Sequence, residues 1–195
     1  MRIIAGKAKG TRLKMVPGKH VRPTADRVKE SLFQVIGPFF DGGMALDLFS
    51  GTGALGLEAL SRGLEKAIFI DSSKASCDVI KVNAQASRLS DSVEIYRRDV
   101  SRALPQLKKR QLQFDYIFLD PPYMKNLLVP IMEKLSVYKL LNEDGLIIAE
   151  HESESMPPEK IGDFRRYRLL NYRDTAISLY EWGEPSESGC LSRQF

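Results

Sequence analysis

Cysteine is nearly missing from this 195-residue chain: Cys77 and Cys190 are the only two. Two thiols make no disulfide framework, and no CxxC pair or Cys/His grouping has the spacing of a zinc site, so no metal is expected. Long apolar runs are missing as well; none approaches the roughly 20 residues needed to span a bilayer. The start, Met1-Arg2-Ile3-Ile4-Ala5-Gly6, reaches charge again before an apolar core of signal length can form, so no secretory leader is expected. Histidine occurs only at His20 and His151, and no His or Tyr/Lys set for hydride chemistry is evident. Both histidines are expected at the surface rather than in catalysis. There is no internal repeat. These absences point to a cytoplasmic protein in a reducing compartment, with one domain's worth of core and no membrane partner.

What is present begins with charge. Residues 1–30 hold nine basic side chains and two acidic ones, a balance of +7, whereas the other 165 residues balance to −3. A basic leader on a near-neutral body suits a polyanion gripped by one end of the molecule; the alternative is a merely solvated, charged face.

Local pattern then gives the architecture. Residues 2–5 and 11–16 read as two short strands around the turn-rich Gly6-Lys7-Ala8-Lys9-Gly10, a basic hairpin. A helix follows from about Ala25 to Ile36, with Val28, Leu32, Val35 and Ile36 at helical spacing and Gly37-Pro38 ending it. From Met44 short apolar runs (44–48, 66–71, 92–96, 114–119, 145–150) alternate with helix-length stretches near 54–62, 74–87, 100–109 and 126–140. Serial strand–helix alternation predicts an α/β fold, a doubly wound parallel sheet with helices on both faces. Residues 164–171 and 175–182 form a terminal antiparallel pair, for seven strands in all. The expected organisation is a leader over 1–23, a domain over 24–182 and a frayed polar tail over 183–195.

The first strand runs into Asp47-Leu48-Phe49-Ser50-Gly51-Thr52-Gly53-Ala54-Leu55-Gly56. Gly51 and Gly53 allow positive φ and close backbone approach to a ligand; Gly56 lets the helix pack tightly on the strand. Read literally, Gly51-x-Gly53-x-x-Gly56 with Asp71 20 residues on also matches a dinucleotide fingerprint. Asp47 decides against that, because its carboxylate would repel a pyrophosphate. S-adenosylmethionine (SAM) has no phosphate but carries an ammonium and a sulfonium, which a carboxylate favours. Asp71 is placed for ribose hydroxyls and Asp99 for an adenine amino group; capping of the following helices is the competing reading for both.

The fourth strand ends in Asp120-Pro121-Pro122-Tyr123. The amino nitrogen of a nucleobase is a poor nucleophile because its lone pair is delocalised into the ring. Asp120 can accept from one N–H and the Pro121 carbonyl, aimed by the two prolines, from the other. Together they hold the nitrogen near tetrahedral and offset its developing positive charge. Tyr123 offers an aromatic face to a base lifted from its stack. From the residues alone, this stops at amino methylation on nucleic acid. No segment has the size of a separate module reading several DNA base pairs, which favours RNA recognised by shape.

With these motifs the chain resembles the class I SAM-dependent methyltransferases. More closely it is similar to the RsmD family, bacterial enzymes that methylate N2 of a guanine in 16S ribosomal RNA. The similarity covers roughly residues 1–182. It rests on Arg2-Ile3-Ile4-Ala5-Gly6, on Arg22-Pro23-Thr24-x-Asp26-Arg27-Val28-Lys29-Glu30-x-Leu32-Phe33, on Leu46 through Gly53, and on the tetrapeptide. The resemblance implies a Rossmann-like methyltransferase sheet. It implies that SAM is held by Asp47, Phe49, Ser50, Gly51, Thr52, Gly53, Asp71, Ser72, Arg98 and Asp99. It implies that Asp120, Pro121, Pro122 and Tyr123 hold the guanine. Arg2, Lys7, Lys9, Arg12, Lys14, Arg22, Thr24 and Arg27 would face RNA or close over the cofactor. The partner implied is 16S rRNA in a small-subunit particle, met by a monomer. An adenine-N6 methylase, a non-catalytic RNA-binding protein and, more remotely, an NAD-dependent oxidoreductase are the alternatives.

Overall fold

The computed structural model describes residues 1–17, 26–122 and 126–183. A single eight-stranded sheet crosses the molecule in the order β3-β2-β1-β4-β5-β8-β7-β6. Its strands are β1 (Met44–Leu48), β2 (Lys66–Asp71), β3 (Val93–Arg97), β4 (Phe114–Leu119), β5 (Leu141–Glu152), β6 (Lys160–Ile161), β7 (Phe164–Tyr172) and β8 (Thr175–Trp182). β1 to β5 run parallel, whereas β6, β7 and β8 are joined by antiparallel pairing. The central strands β1, β2 and β4 are mostly apolar because helices cover both their faces.

One face carries α4 (Val100–Lys109) and α5 (Leu128–Tyr138), whose Leu104, Leu107, Ile131 and Leu135 pack on Leu46, Ile68, Ile117 and Ile147. The other carries α1 (Asp26–Ile36), α2 (Ala54–Ser61) and α3 (Lys74–Ala86), with Phe33, Leu57 and Ile80 against Ala45, Phe69, Phe118 and Ile148. The chain builds outward from β1 to β3, then returns to the other side of β1 with β4. β1 and β4 are therefore neighbours with their connections leaving in opposite directions. Doubly wound folds bind ligands at such a switch point, at the carboxyl ends of the strands.

The doubly wound, mostly parallel α/β sheet expected from the sequence is the one observed, with eight strands rather than seven. The extra strand, β6, has two residues, too few to show an alternating pattern. The two strands expected in the leader do not form as a ladder. A single bridge joins Arg2 and Arg12, and Ile3 N–H donates to Thr11 O at 3.0 Å and Gly10 N–H to Ile3 O at 2.9 Å. Several leader N–H groups turn to α2 instead: Ile4 and Ala5 donate to the Glu58 carboxylate at 2.8 and 3.0 Å, and Lys7 to Ser61 O at 2.8 Å. The backbone comes so close that a Cβ on Gly6 would collide with the Ser61 carbonyl. Ile3, Ala8 and Leu13 are buried in the core shared with α1, α2 and α3. Among the described residues no helix is long and apolar enough to cross a membrane.

Candidate active site

The loop after β1 is wound by alternating left-handed residues, Phe49 (φ 61°), Gly51 (φ 53°) and Gly53 (φ 75°). Phe49 pays for this conformation with strain of order 1–3 kcal/mol, which the surrounding bonds must overcome. Ser50 supplies them: its Oγ donates to Asp47 O at 2.5 Å, accepts from Ile70 N–H at 2.9 Å, and its own N–H donates to Ile70 O at 3.2 Å. The loop is thereby pinned to the end of β2. Thr52, also buried, has its carbonyl held by the Asn83 amide at 2.9 Å.

Asp47, next to last in β1, is 4% exposed, its Oδ2 accepting the Gly56 N–H at 3.0 Å. Gly56 is required by packing: a Cβ there would lie 2.6 Å from Cζ of Phe69 and 3.1 Å from Asp47 Oδ2. Burial pushes the Asp47 carboxyl well above the ordinary range; the Gly56 N–H opposes this, and Asp120 and Asp71 reinforce it. Asp71, at the end of β2, accepts from Gly51 N–H at 2.9 Å and Ser73 N–H at 2.8 Å. It braces the loop; the cap of α3 is Ser73. Asp99 does cap α4, accepting from Arg102 N–H at 3.2 Å, and is exposed. Arg98 N–H donates to Asp71 O at 3.0 Å, which sets the exit of β3 beside that of β2. Ser72 and the Arg98 side chain are exposed.

Asp120, Pro121 and Pro122 follow β4 directly, one strand from Asp47. The Asp120 carboxyl is pushed up to about 8, first by burial and then by the neighbouring Glu150 carboxylate. Among the described residues no cation is ion-paired with Asp47, Asp71 or Asp120. Three acids thus converge with no ion-paired cation among the described residues. Beside them lies a cavity of about 270 Å³, lined by Pro121, Pro122, the start of α5, Glu150, His151 and the Met156–Pro158 segment. Tyr123 lies outside the described residues.

His151 is not the surface residue expected. It sits within β5, 5% exposed. Its Nδ1 lies 2.9 Å from the Glu152 carbonyl, which can only accept, so Nδ1 carries the proton and Nε2 accepts from Ser178 Oγ at 2.8 Å. Burial lowers its pKa, keeping the ring neutral.

In the leader, Arg2, Lys7, Lys9, Arg12, Lys14 and Arg27 are exposed, with Arg2 3.4 Å from Asp26. Arg22 and Thr24 lie outside the described residues. Lys29, counted with the basic leader, is fully buried and bonded to Glu58 at 3.0 Å, so it is no contact for a polyanion. Its ordinary pKa is lowered by burial and held up by Glu58.

Three residues around the site were missed by sequence reasoning. Glu58 and Asn83 are polar residues on helix faces with no local motif. Glu150 had a signal: it is an acid closing an apolar strand at the carboxyl edge, as Asp47, Asp71 and Asp120 are.

A family model described as Conserved hypothetical protein 95 matches residues 1–181. The Bacillus subtilis protein YlbH is 45% identical, over 93% of this chain and 98% of that protein. Ribosomal RNA small subunit methyltransferase D of Haemophilus influenzae is 34% identical, over 92% of this chain and 91% of that protein. The solved structure of yhhF from Escherichia coli matches with a TM-score of 0.80 at 30% identity, covering 94% of this chain and 98% of that one.

Proposed function

The chain belongs to the conserved hypothetical protein 95 family, the family of ribosomal RNA small subunit methyltransferase D (RsmD), and we propose that it methylates the exocyclic N2 amino group of a guanine in 16S rRNA. It is a SAM-dependent rRNA methyltransferase. The single observation that carries the reading is the meeting, at the β1/β4 switch point, of a cation-poor carboxyl cluster with Asp120-Pro121-Pro122.

The donor set fits SAM. Asp47 and the pinned Gly51–Gly53 loop would take its charged amino acid end, where burial has left acids needing positive charge. Asp71 keeps acceptor capacity beyond its two backbone bonds for ribose hydroxyls, and Asp99 beyond its cap bond for an adenine amine. Phe49, Ser50, Thr52, Ser72 and Arg98 complete the cradle. Bound there, SAM supplies an electrophilic methyl group on a positively charged sulfur.

Asp120 accepts one N–H of the target amine and the Pro121 carbonyl the other, so the lone pair is freed and aimed. Because Asp120 is pushed up to about 8, it is a better proton acceptor than an ordinary carboxylate and takes the proton that the methylated nitrogen sheds. Tyr123 stacks on the base. Arg2, Lys7, Lys9, Arg12, Lys14, Arg22, Thr24 and Arg27 belong to a leader (1–23) and first helix that contact phosphates, beside a catalytic domain of 24–182 acting as a monomer on the small-subunit particle.

The test is transfer of a tritiated methyl group to small-subunit particles that lack the modification, followed by nucleoside analysis. N2-methylguanosine is the expected product. Label in N6-methyladenosine, or label confined to DNA, would overturn the assignment.

A further inference from the structure

β4 and β5 are parallel and in register at Leu119 and Ala149, so the next residues, Asp120 just past the end of β4 and Glu150 still within β5, lie at the same level on neighbouring strands. Strands so paired lie about 4.8 Å apart. Glu150 is 8% exposed and lines the cavity next to Pro121 and Pro122. The cavity, about 270 Å³, is close to the lower end of small-molecule pockets, roughly 300 Å³. Glu150 therefore stands on the cavity wall, and Asp120, which directly precedes the lining residue Pro121, lies one strand away; Glu150 has no part in the cofactor cradle.

Base chemistry gives such a pair one match. Guanine presents two adjacent donors on its pairing edge, N1–H and the N2 amine. Adenine and cytosine each present an amine beside a bare ring-nitrogen acceptor. A carboxylate beside that ring nitrogen would face lone pair with lone pair, leaving both groups desolvated and unsatisfied. We propose that Glu150 is the specificity-determining residue of this site, its carboxylate accepting the N1–H of guanine while Asp120 and Pro121 hold the N2 amine. The inference rests on the proposed amino methylation at Asp120. Asp120 is raised first by burial and then by the Glu150 carboxylate, which agrees with the two acids lying side by side.

The experiment uses 2,6-diaminopurine, which keeps the N2 amine but replaces N1–H with a bare acceptor. Once nucleoside analysis has located the acceptor position, particles are reconstituted with guanine or diaminopurine there. kcat/KM is measured for the native enzyme, Glu150→Gln and Glu150→Asp, with SAM binding followed by calorimetry. The native enzyme is expected to prefer guanine by about a hundredfold or more, because a site built around a substrate N–H rejects the analogue lacking it. Glu150→Gln can turn its amide N–H toward the bare nitrogen. It is expected to narrow that preference about tenfold or more, losing on guanine and gaining on diaminopurine, with SAM affinity unchanged. An unchanged preference would overturn the role of Glu150. If the amide variant fails to bind SAM, Glu150→Asp decides: its shortened carboxylate is expected to lower transfer to guanine selectively, and equal losses on both bases would overturn the proposal. Failure of the native enzyme to methylate guanine N2 at all would instead strike the proposed function.

Discussion

The side-chain amide of Asn83 donates to the Thr52 carbonyl at 2.9 Å, joining the middle of α3 to the centre of the glycine loop. The same side chain accepts from Lys14 N–H at 2.7 Å and donates to Lys14 O at 3.1 Å. One buried residue thus ties the proposed RNA-facing leader to the proposed cofactor loop. Asn83→Ala is expected to destabilise the fold by about 1–3 kcal/mol through the unsatisfied groups it leaves. SAM affinity should fall several-fold as Thr52 is released. Urea unfolding and calorimetry measure the two; a loop that keeps its affinity would be holding its shape without Asn83.

Glu58 is the anchor under the leader. Its carboxylate takes Lys29 at 3.0 Å, Arg62 at 2.8 Å and the Ile4 and Ala5 N–H groups, all around a fully buried side chain. Replacing it strands two buried cations. Glu58→Gln is expected to cost about 3–5 kcal/mol in urea unfolding, far more than loss of an exposed pair.

Gly56→Ala sets helix propensity against packing. Alanine favours a helix interior over glycine by about 1 kcal/mol, but its Cβ would enter the space of the buried Phe69 ring. Overpacking of this kind costs about 1–3 kcal/mol, so a lower melting temperature is expected. Weaker SAM binding should accompany it as the Gly56–Asp47 hydrogen bond is displaced. A higher melting temperature would show that the ring yields.

Asp120 gives a pH test with opposite signs for activity and stability. Its ionised form accepts the proton, so the single-turnover rate should rise with pH and level off above about 8. Its folded pKa lies above the unfolded one, so ionisation costs stability. That cost is absent below the unfolded value, grows as pH rises, and is complete above the folded value. Asp120→Asn should therefore abolish transfer, spare SAM affinity, and stabilise the fold more at pH 9 than at pH 5. A variant no more stable at pH 9 would mean that Asp120 is not strained in the folded state.

Neutralising Lys7, Lys9 and Arg12 together removes three exposed cations without touching the buried Lys29. RNA affinity is expected to fall, and the slope of log affinity against log salt to shrink by about 2–3. Filter binding across salt concentrations checks this; an unchanged slope would make the leader a solvated face.

The sequence by itself determined the sheet and the carboxyl-edge acids. Buried parallel strands must be apolar on both faces, so they stand out as runs such as Tyr116-Ile117-Phe118-Leu119, and the acid closing each run is conspicuous. The left-handed Gly51 and Gly53 were legible for a local reason, since only glycine adopts that backbone without strain. The tertiary structure alone decided the rest. Lys29 looked like one more leader cation, and became a core residue because α1 packs where Glu58 waits on α2. His151 looked like a surface residue, and was buried because β8 adds to the sheet beside β5 and brings Ser178 to its ring. The leader lost its expected ladder because α2 offered better partners. Asn83 joins residues 31 and 69 positions away, separations at which no periodicity carries information. Glu150 came beside Asp120 only through the β4–β5 register. Local pattern sets which residues turn inward; which of them meet is set by how the strands are ordered and which helix covers each face.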